Sequence, residues 1–483
     1  MAFLLAGQVW PVPAGRANDE SARGTRKKFT SPRGGAPRIL AAMRHLDYFR
    51  LSAGEIAGRL RDGTLFPADI SRSVIARHAR LEPALQAWSW FEPRRVELAY
   101  RDGLPPAHPP LPLLGVPVGV KDIIDVEGMP TGLGLPGAAA PAPRSAACVE
   151  LLRAAGAVPV GKTVTAELAF SHPGPTRNPR MPGHTPGGSS SGSAAAVAAG
   201  MVPLALGTQT GGSVIRPAAY CGVVGVKTSL NAVPSAGVSP VADSLDCVGW
   251  FTRSVTDAIL AGRALLPWRN LAPRQPVSSL RVWRLDATEL GRLAPEARQA
   301  LDHAAAALRR AGCAVAEAPL ADLLPALAEC HRRIMLHELS RSLLPIHRTR
   351  RHELSAVMMK AIEAGRAVTA GQYGEALHQV REARAALDAR MRDVDVILTP
   401  SAAGEAPAGL HHTGDSTFNR VWSVLGWPAV HLPTDQSPGG LPVGVQCVGR
   451  LGEDEALLRH AEAIHPLIDR REPEPRSQAP MAQ

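Results

Sequence analysis

Two glycine-serine runs lie close together in this chain: Thr185-Pro-Gly-Gly-Ser-Ser-Ser-Gly-Ser193 and Gly207-Thr-Gln-Thr-Gly-Gly-Ser213. Alone, each would read as a flexible loop or linker. Residues 194–206 between them are apolar and Ala-rich, however, and linkers do not flank a buried helix of that kind. Both loops should therefore be ordered, with convergent backbone amides, and the chain must fold so as to bring them together.

The surrounding segments alternate between helical and extended patterns. Ser52-Ala-Gly-Glu55 has the spacing of a capping box that opens a short amphipathic helix. A second helix starts near Pro67, a favoured first-turn residue, carries Ile70, Val74, Ile75 and Leu81 on helical spacing, and is expected to run up to Glu82-Pro83. Leu114-Gly-Val-Pro-Val-Gly-Val120 reads as a buried strand that delivers Lys121 at its end. Helices are expected at 148–154 and 193–199 and strands at 158–160, 280–285 and 394–398, while 295–310 and much of 320–392 are Ala/Leu/Arg-rich helix. The fold class is α/β, with helices covering a mixed β-sheet and no internal repeat.

One pattern points elsewhere. Gly156-Ala-Val-Pro-Val-Gly161-Lys162-Thr163 satisfies the phosphate-cradling G-x-x-x-x-G-K-[ST] spacing. That chemistry needs a strand before the first glycine and a helix after the lysine, so that helix-start amides face the phosphates. Here a helix precedes Gly156, which sits where a helix C-cap belongs, and the supposed loop is itself a strand. A nucleotide-binding reading is set aside on that ground.

The residues from 114 to 229 resemble the amidase signature family. The resemblance rests on Gly187-Gly-Ser-Ser-Ser-Gly192, Gly211-Gly-Ser-Val-Ile-Arg-Pro217 and Cys221-Gly-Val-Val-Gly-Val-Lys-Thr228. It resumes at Ser244-Leu-Asp246 with Gly249, at Asp395-Val-Ile-Leu-Thr-Pro400, and at Gly440-Leu-Pro-Val-Gly-Val-Gln446 with Gly449-Arg450. It implies the amidase signature fold, no cofactor and no metal, and a serine amide hydrolase with Lys121 as base, Ser189 as relay and Ser213 as nucleophile. The 24-residue separation of Ser189 and Ser213 fits the family pattern and separates Ser189 from Ser190, Ser191 and Ser193. The resemblance also implies a cis peptide bond at Ser189.

Chemistry explains the residue types. A serine hydroxyl attacks only when a base takes its proton, and a desolvated lysine can be that base in place of histidine. Burial disfavours the ammonium and can lower a lysine pKa by ~3 to 5 units. The amides of Thr210, Gly211, Gly212 and Ser213 form a nest, and the resemblance makes Thr210, Gly211 and Gly212 the oxyanion hole. The absent side chains at Gly211 and Gly212 are expected to leave room for the acyl group. Two departures from the common family pattern, Gln209 and an Arg216 placed one residue later, look more like malonamidase-type members. There the arginine at this position is implicated in holding a substrate carboxylate. A guanidinium suits that task, and it equally suits a structural ion pair, so both readings of Arg216 stay open.

The resemblance makes the expected activity hydrolysis of a carboxylic acid amide to acid and ammonia. The alternative is the glutaminase (A) subunit of an aspartyl/glutamyl-tRNA amidotransferase. The expected partner is a small-molecule amide, with no nucleic acid and no membrane, and a homodimer is left open. The net charge of +10 does not contradict this, since residues 1–45 hold eight Arg/Lys against Asp19 and Glu20, 8 − 2 = +6, leaving +4 for the rest and no basic stripe with aromatics. Six scattered cysteines without C-x-x-C spacing fit a reducing, cytoplasmic compartment. Residues 1–45 are expected to be a disordered N-terminal extension, 46–470 the amidase domain and 471–483 a flexible tail. Met1-Ala-Phe-Leu-Leu-Ala lacks the basic start and long apolar run of a signal peptide. A transit peptide at 16–38, or initiation near Met43, remains open.

Overall fold

The Val-rich run that ends at Lys121 is buried along its whole length, Pro117–Lys121, so it belongs inside a sheet and not at its edge. The computed structural model describes residues 48–102, 104, 110–270 and 275–471. The expectations for 1–45 and for the tail beyond Arg471 lie outside the described residues.

Eleven strands form one sheet: β1 (Trp88–Trp90), β2 (Pro117–Lys121), β3 (Val158–Thr163), β4 (Leu204–Gln209), β5 (Val224–Lys227), β6 (Cys247–Thr252), β7 (Arg281–Arg284), β8 (Ala314–Glu317), β9 (Val396–Pro400), β10 (Ala429–Gln436) and β11 (Pro442–Val448). Their order is β1-β3-β2-β4-β6-β5-β10-β11-β9-β7-β8. The sheet is mixed. β3, β2 and β4 run parallel, as do β9, β7 and β8, and the stretch from β4 through β6, β5, β10 and β11 to β9 is antiparallel. Because β2 and β4 are parallel and Val120 pairs with Leu206, Lys121 and Thr208 emerge side by side at the same end of the sheet. That carboxyl-terminal edge is where open α/β sheets place their ligands.

The helices follow from capping and burial. Ser52 and Glu55 exchange both bonds of the capping box at the start of Ala53–Arg61. The helix from Pro67 runs two residues beyond the expected stop, to Leu85, because a proline in a last turn forfeits one bond that the turn can lose. The Ser191–Ala198 helix is buried on nearly every side, which its small residues permit. A Cβ at Gly192 would run into the Ala87 carbonyl and the Val164 amide, so only glycine lets this helix sit against the sheet. The P-loop-like segment is strand β3 entered from Gly156 at φ +96°, just past the Ala147–Ala154 helix. Lys162 of that segment faces no phosphate cradle: its ammonium is buried against Asp122 Oδ1 at 3.1 Å and donates to the Pro130 carbonyl at 2.9 Å.

Candidate active site

Lys121 has no exposed surface, and no carboxylate among the described residues lies within ion-pair distance of its amine. Its Nζ is 2.8 Å from Ser189 Oγ and 2.8 Å from Thr208 Oγ1. Burial lowers its pKa to about 7, with Asp246 pulling it back up and the like charge of Arg216 pushing it further down. Lys162 on the neighbouring strand makes the contrast: equally buried, it has its carboxylate.

Ser189 follows a cis Gly188–Ser189 peptide bond, as the resemblance implied. Its neighbours are occupied by backbone. Ser190 Oγ donates to the Thr208 carbonyl at 3.2 Å and accepts from the Thr208 amide at 3.3 Å, Ser191 Oγ donates to the Val164 carbonyl at 3.3 Å, and Ser193 Oγ donates to the Leu206 carbonyl at 2.8 Å. These three fasten the loop to the sheet, and Ser189 is left to meet the amine. The second loop lies against the first through the Ser190 amide, which donates to the Ser213 carbonyl at 3.4 Å. Ser213 is 7 % exposed, and its hydroxyl forms no hydrogen bond among the described residues.

The amides of Thr210, Gly211, Gly212 and Ser213 meet no acceptor among the described residues, whereas those of Val214 and Ile215 are both taken by Gln209 Oε1, at 2.9 and 3.0 Å. Gln209 Nε2 in turn donates to Ser423 Oγ at 3.1 Å, and Ser423 Oγ donates to the Gly211 carbonyl at 2.8 Å. The carboxamide thus serves as acceptor at one end and donor at the other, which a carboxylate could not. Thr210 Oγ1 donates to Asp246 Oδ1 at 2.5 Å, and the Thr210 carbonyl accepts from His331 Nε2 at 2.9 Å. Burial raises the Asp246 pKa to about 6 and lowers that of His331 to about 4, so the imidazole is neutral at pH 7.

The expectation that both glycines leave space for an acyl group is corrected at one of them. A Cβ on Gly212 would lie 2.6 Å from Asn419 Oδ1 and 2.7 Å from Ser416 Cβ, so that position is filled by the Thr417–Val424 helix and its approach. At Gly211 the nearest neighbour is His331 Cε1, at 3.4 Å.

Arg216 is buried; each of its two Nη atoms meets a backbone carbonyl, while its Nε has no hydrogen-bond partner among the described residues. Nη2 donates to the Gly188 carbonyl at 2.7 Å and Nη1 to the Gly414 carbonyl at 2.8 Å. It clamps the peptide that precedes Ser189 to a distant loop. Burial lowers its pKa to about 10, still well above neutrality.

The amidase family model matches residues 69–458, most of the chain. The chain belongs to the amidase family. It is 34% identical over 465 residues to the A subunit of the glutamyl-tRNA(Gln) amidotransferase of Thermus thermophilus, covering 85% of this chain and 96% of that relative. Amidase 1 of Oryza sativa subsp. japonica is 32% identical over 409 residues, 76% of this chain and 93% of that protein. A crystal structure of an amidase superposes with a TM-score of 0.76 at 30% identity, over 86% of this chain and 100% of the other. This amidase is therefore an enzyme that cleaves amide C–N bonds.

Thr208, Ser423 and His331 of this amidase were not anticipated from its sequence. Thr208 was within reach, as the only hydroxyl on β4 before the Gly-Gly-Ser turn. His331 and Ser423 lie 121 and 212 residues from the carbonyls they hold, and nothing local marks them. Among the described residues no group of three or more His, Cys, Asp or Glu is placed to hold a metal, and no helix is long and apolar enough to cross a membrane.

Proposed function

We propose that this chain hydrolyses a small carboxylic acid amide to acid and ammonia through an acyl-enzyme on Ser213, with Ser189 as proton relay and Lys121 as base. The observation that carries the reading is the Lys121 amine: buried, unpaired with any carboxylate among the described residues and bonded to Ser189 Oγ. An ammonium in that position lacks the counter-charge that Lys162 enjoys, so the neutral amine is favoured and can accept a proton near pH 7.

The steps then follow. Ser213 Oγ attacks the carbonyl carbon as its proton passes to Ser189 Oγ and the Ser189 proton passes to Lys121 Nζ. The oxyanion is met by the unengaged amides of the 210–213 turn. The intermediate expels the amine, which receives the proton back along the same route and leaves as ammonia. Water repeats the sequence on the acyl-enzyme and releases the acid. Arg216 takes the role of clamp on the Ser189 peptide, since both its Nη atoms are engaged with carbonyls.

The test is ammonia release from a panel of small amides, half of them carrying a second carboxylate, by the wild-type chain and by Ser213→Ala. Turnover that survives Ser213→Ala defeats the reading. The relatives named as amidotransferase subunits support a second one, in which the chain supplies ammonia to a partner. A chain inert on every simple amide that releases ammonia from glutamine once a partner protein is added would replace the first with the second.

A further inference from the structure

Three successive peptide groups lead into Ser213, and each is held by its carbonyl oxygen from a different part of the chain. His331 Nε2 holds the Thr210 carbonyl at 2.9 Å, Ser423 Oγ the Gly211 carbonyl at 2.8 Å, and the Arg216 amide the Gly212 carbonyl at 3.0 Å. In a trans peptide the C=O and the following N–H point in opposite directions. Fixing the three carbonyls therefore aims the N–H groups of Gly211, Gly212 and Ser213 away from these anchors, and those are the amides left without an acceptor. We propose that His331 is a positioning residue for the oxyanion-binding amides, acting through the Thr210 carbonyl to aim the Gly211 N–H. The proposal rests on the reading of Ser213 as the nucleophile.

Three features separate this from a histidine that merely fills space. The carbonyl can only accept, so the ring carries its proton on Nε2, and that bond defines the tautomer. Nδ1 is then a buried acceptor with no partner among the described residues, a group that a leucine or phenylalanine of similar size would not have introduced. The ring also packs directly on the turn, its Cε1 3.4 Å from where a Gly211 side chain would begin. His331 stands on the Leu324–Ser342 helix beside Leu327, Cys330 and Ile334, all buried in an apolar cluster, and its N–H is what that face of the helix offers the catalytic turn. Ser423 is itself tied to Gln209, whereas His331 holds its carbonyl alone, so its removal leaves one amide unaimed.

The experiment compares His331→Leu, which keeps bulk and loses the donor, with His331→Gln, whose amide nitrogen reaches the position of Nε2, and with His331→Asn, whose shorter chain does not. Each is assayed for kcat and KM on whichever amide of the panel the wild-type enzyme turns over fastest. Each is also assayed for the rate at which an alkyl fluorophosphonate labels Ser213, since the phosphoryl oxygen of that probe calls on the same amides. Leu and Asn should lower kcat and the labelling rate by on the order of 10- to 100-fold with KM within about twofold, less than the loss of a whole oxyanion donor. Gln should return both to within a few-fold of wild type. The idea is overturned if Leu or Asn matches wild type, if Gln is no better than Asn, or if KM rises as much as kcat falls. Should Leu fail to fold, the Gln–Asn comparison decides alone. Ser213→Ala is run beside them: activity surviving in that variant refutes the nucleophile, whereas an inert Ser213→Ala beside a fully active His331→Leu refutes only the positioning role.

Discussion

The charge state of Lys121 can be read directly. With a pKa of about 7, about half of the amine is neutral at pH 7 and about 1% at pH 5, so kcat/KM should fall about 50-fold across that interval. The fall will be shallower than that of a single site below about pH 6, because Asp246, whose pKa is raised to about 6, loses its charge there and with it the attraction that favours the ammonium. The same shift has a stability sign. The unfolded lysine keeps its ordinary pKa of 10.5, so between about pH 7 and 10.5 the unfolded chain binds a proton the folded one does not, and this site's contribution to stability rises with pH over that window. Below pH 7 the buried charge costs about 5 kcal/mol relative to the neutral form, at about 1.4 kcal/mol per pH unit. The assay is 13C NMR of the lysine Cε positions, feasible because the whole chain holds six lysines, with Lys121→Met to assign the signal. The Lys121 resonance should titrate near pH 7, in step with the acid limb of kcat/KM. A resonance that stays ammonium-like to pH 9, or a Lys121→Met variant retaining a tenth of wild-type turnover, would refute the reasoning.

Three further outcomes are expected. Ser189→Ala should lower kcat at least 100-fold and leave the melting temperature nearly unchanged, whereas Ser190→Ala, which removes the acceptor of the Thr208 amide and a donor to the Thr208 carbonyl, should cost about 1 to 3 kcal/mol in urea denaturation. Arg216→Lys should depress turnover equally for an anionic amide and its methyl-capped counterpart and lower the melting temperature, because the fork spans the Gly188 and Gly414 carbonyls; a KM rise confined to the anionic amide would restore the carboxylate-binding role. Gln209→Met should orphan the amides of Val214 and Ile215 and destabilise by about 2 to 5 kcal/mol, and an unchanged denaturation midpoint would contradict that accounting.

Much of the site was legible because its determinants are local. A Val-rich run ending in Lys121 and a helix-before-glycine order that disposed of the P-loop pattern depend on neighbours in sequence, whereas the choice of Ser189 among four serines came from the spacing that the family resemblance implies. What was not legible depends on where a side chain's partner comes from. Arg216 carries two readings in the sequence, and the carbonyls that meet its Nη atoms, Gly188 and Gly414, come from 28 and 198 residues away. Gly212 looked like open space until the Thr417–Val424 helix was seen to pack on it. The helix beyond Pro83 continued because a proline in the last turn forfeits only one bond, which that turn can lose.

Lys and Arg together number 53 in this chain, and six of them are lysine. Of the four lysines among the described residues, Lys360 is exposed, and Lys121, Lys162 and Lys227 have no exposed surface. Among the described residues arginine supplies nearly every cation that meets water, and three of the four lysines lie where none does. An ammonium is compact and can give up its proton; a guanidinium is broad and near neutrality keeps its own. A Lys→Arg replacement, mild at the exposed Lys360, would therefore be among the most disruptive single changes this protein could suffer at Lys121, Lys162 or Lys227.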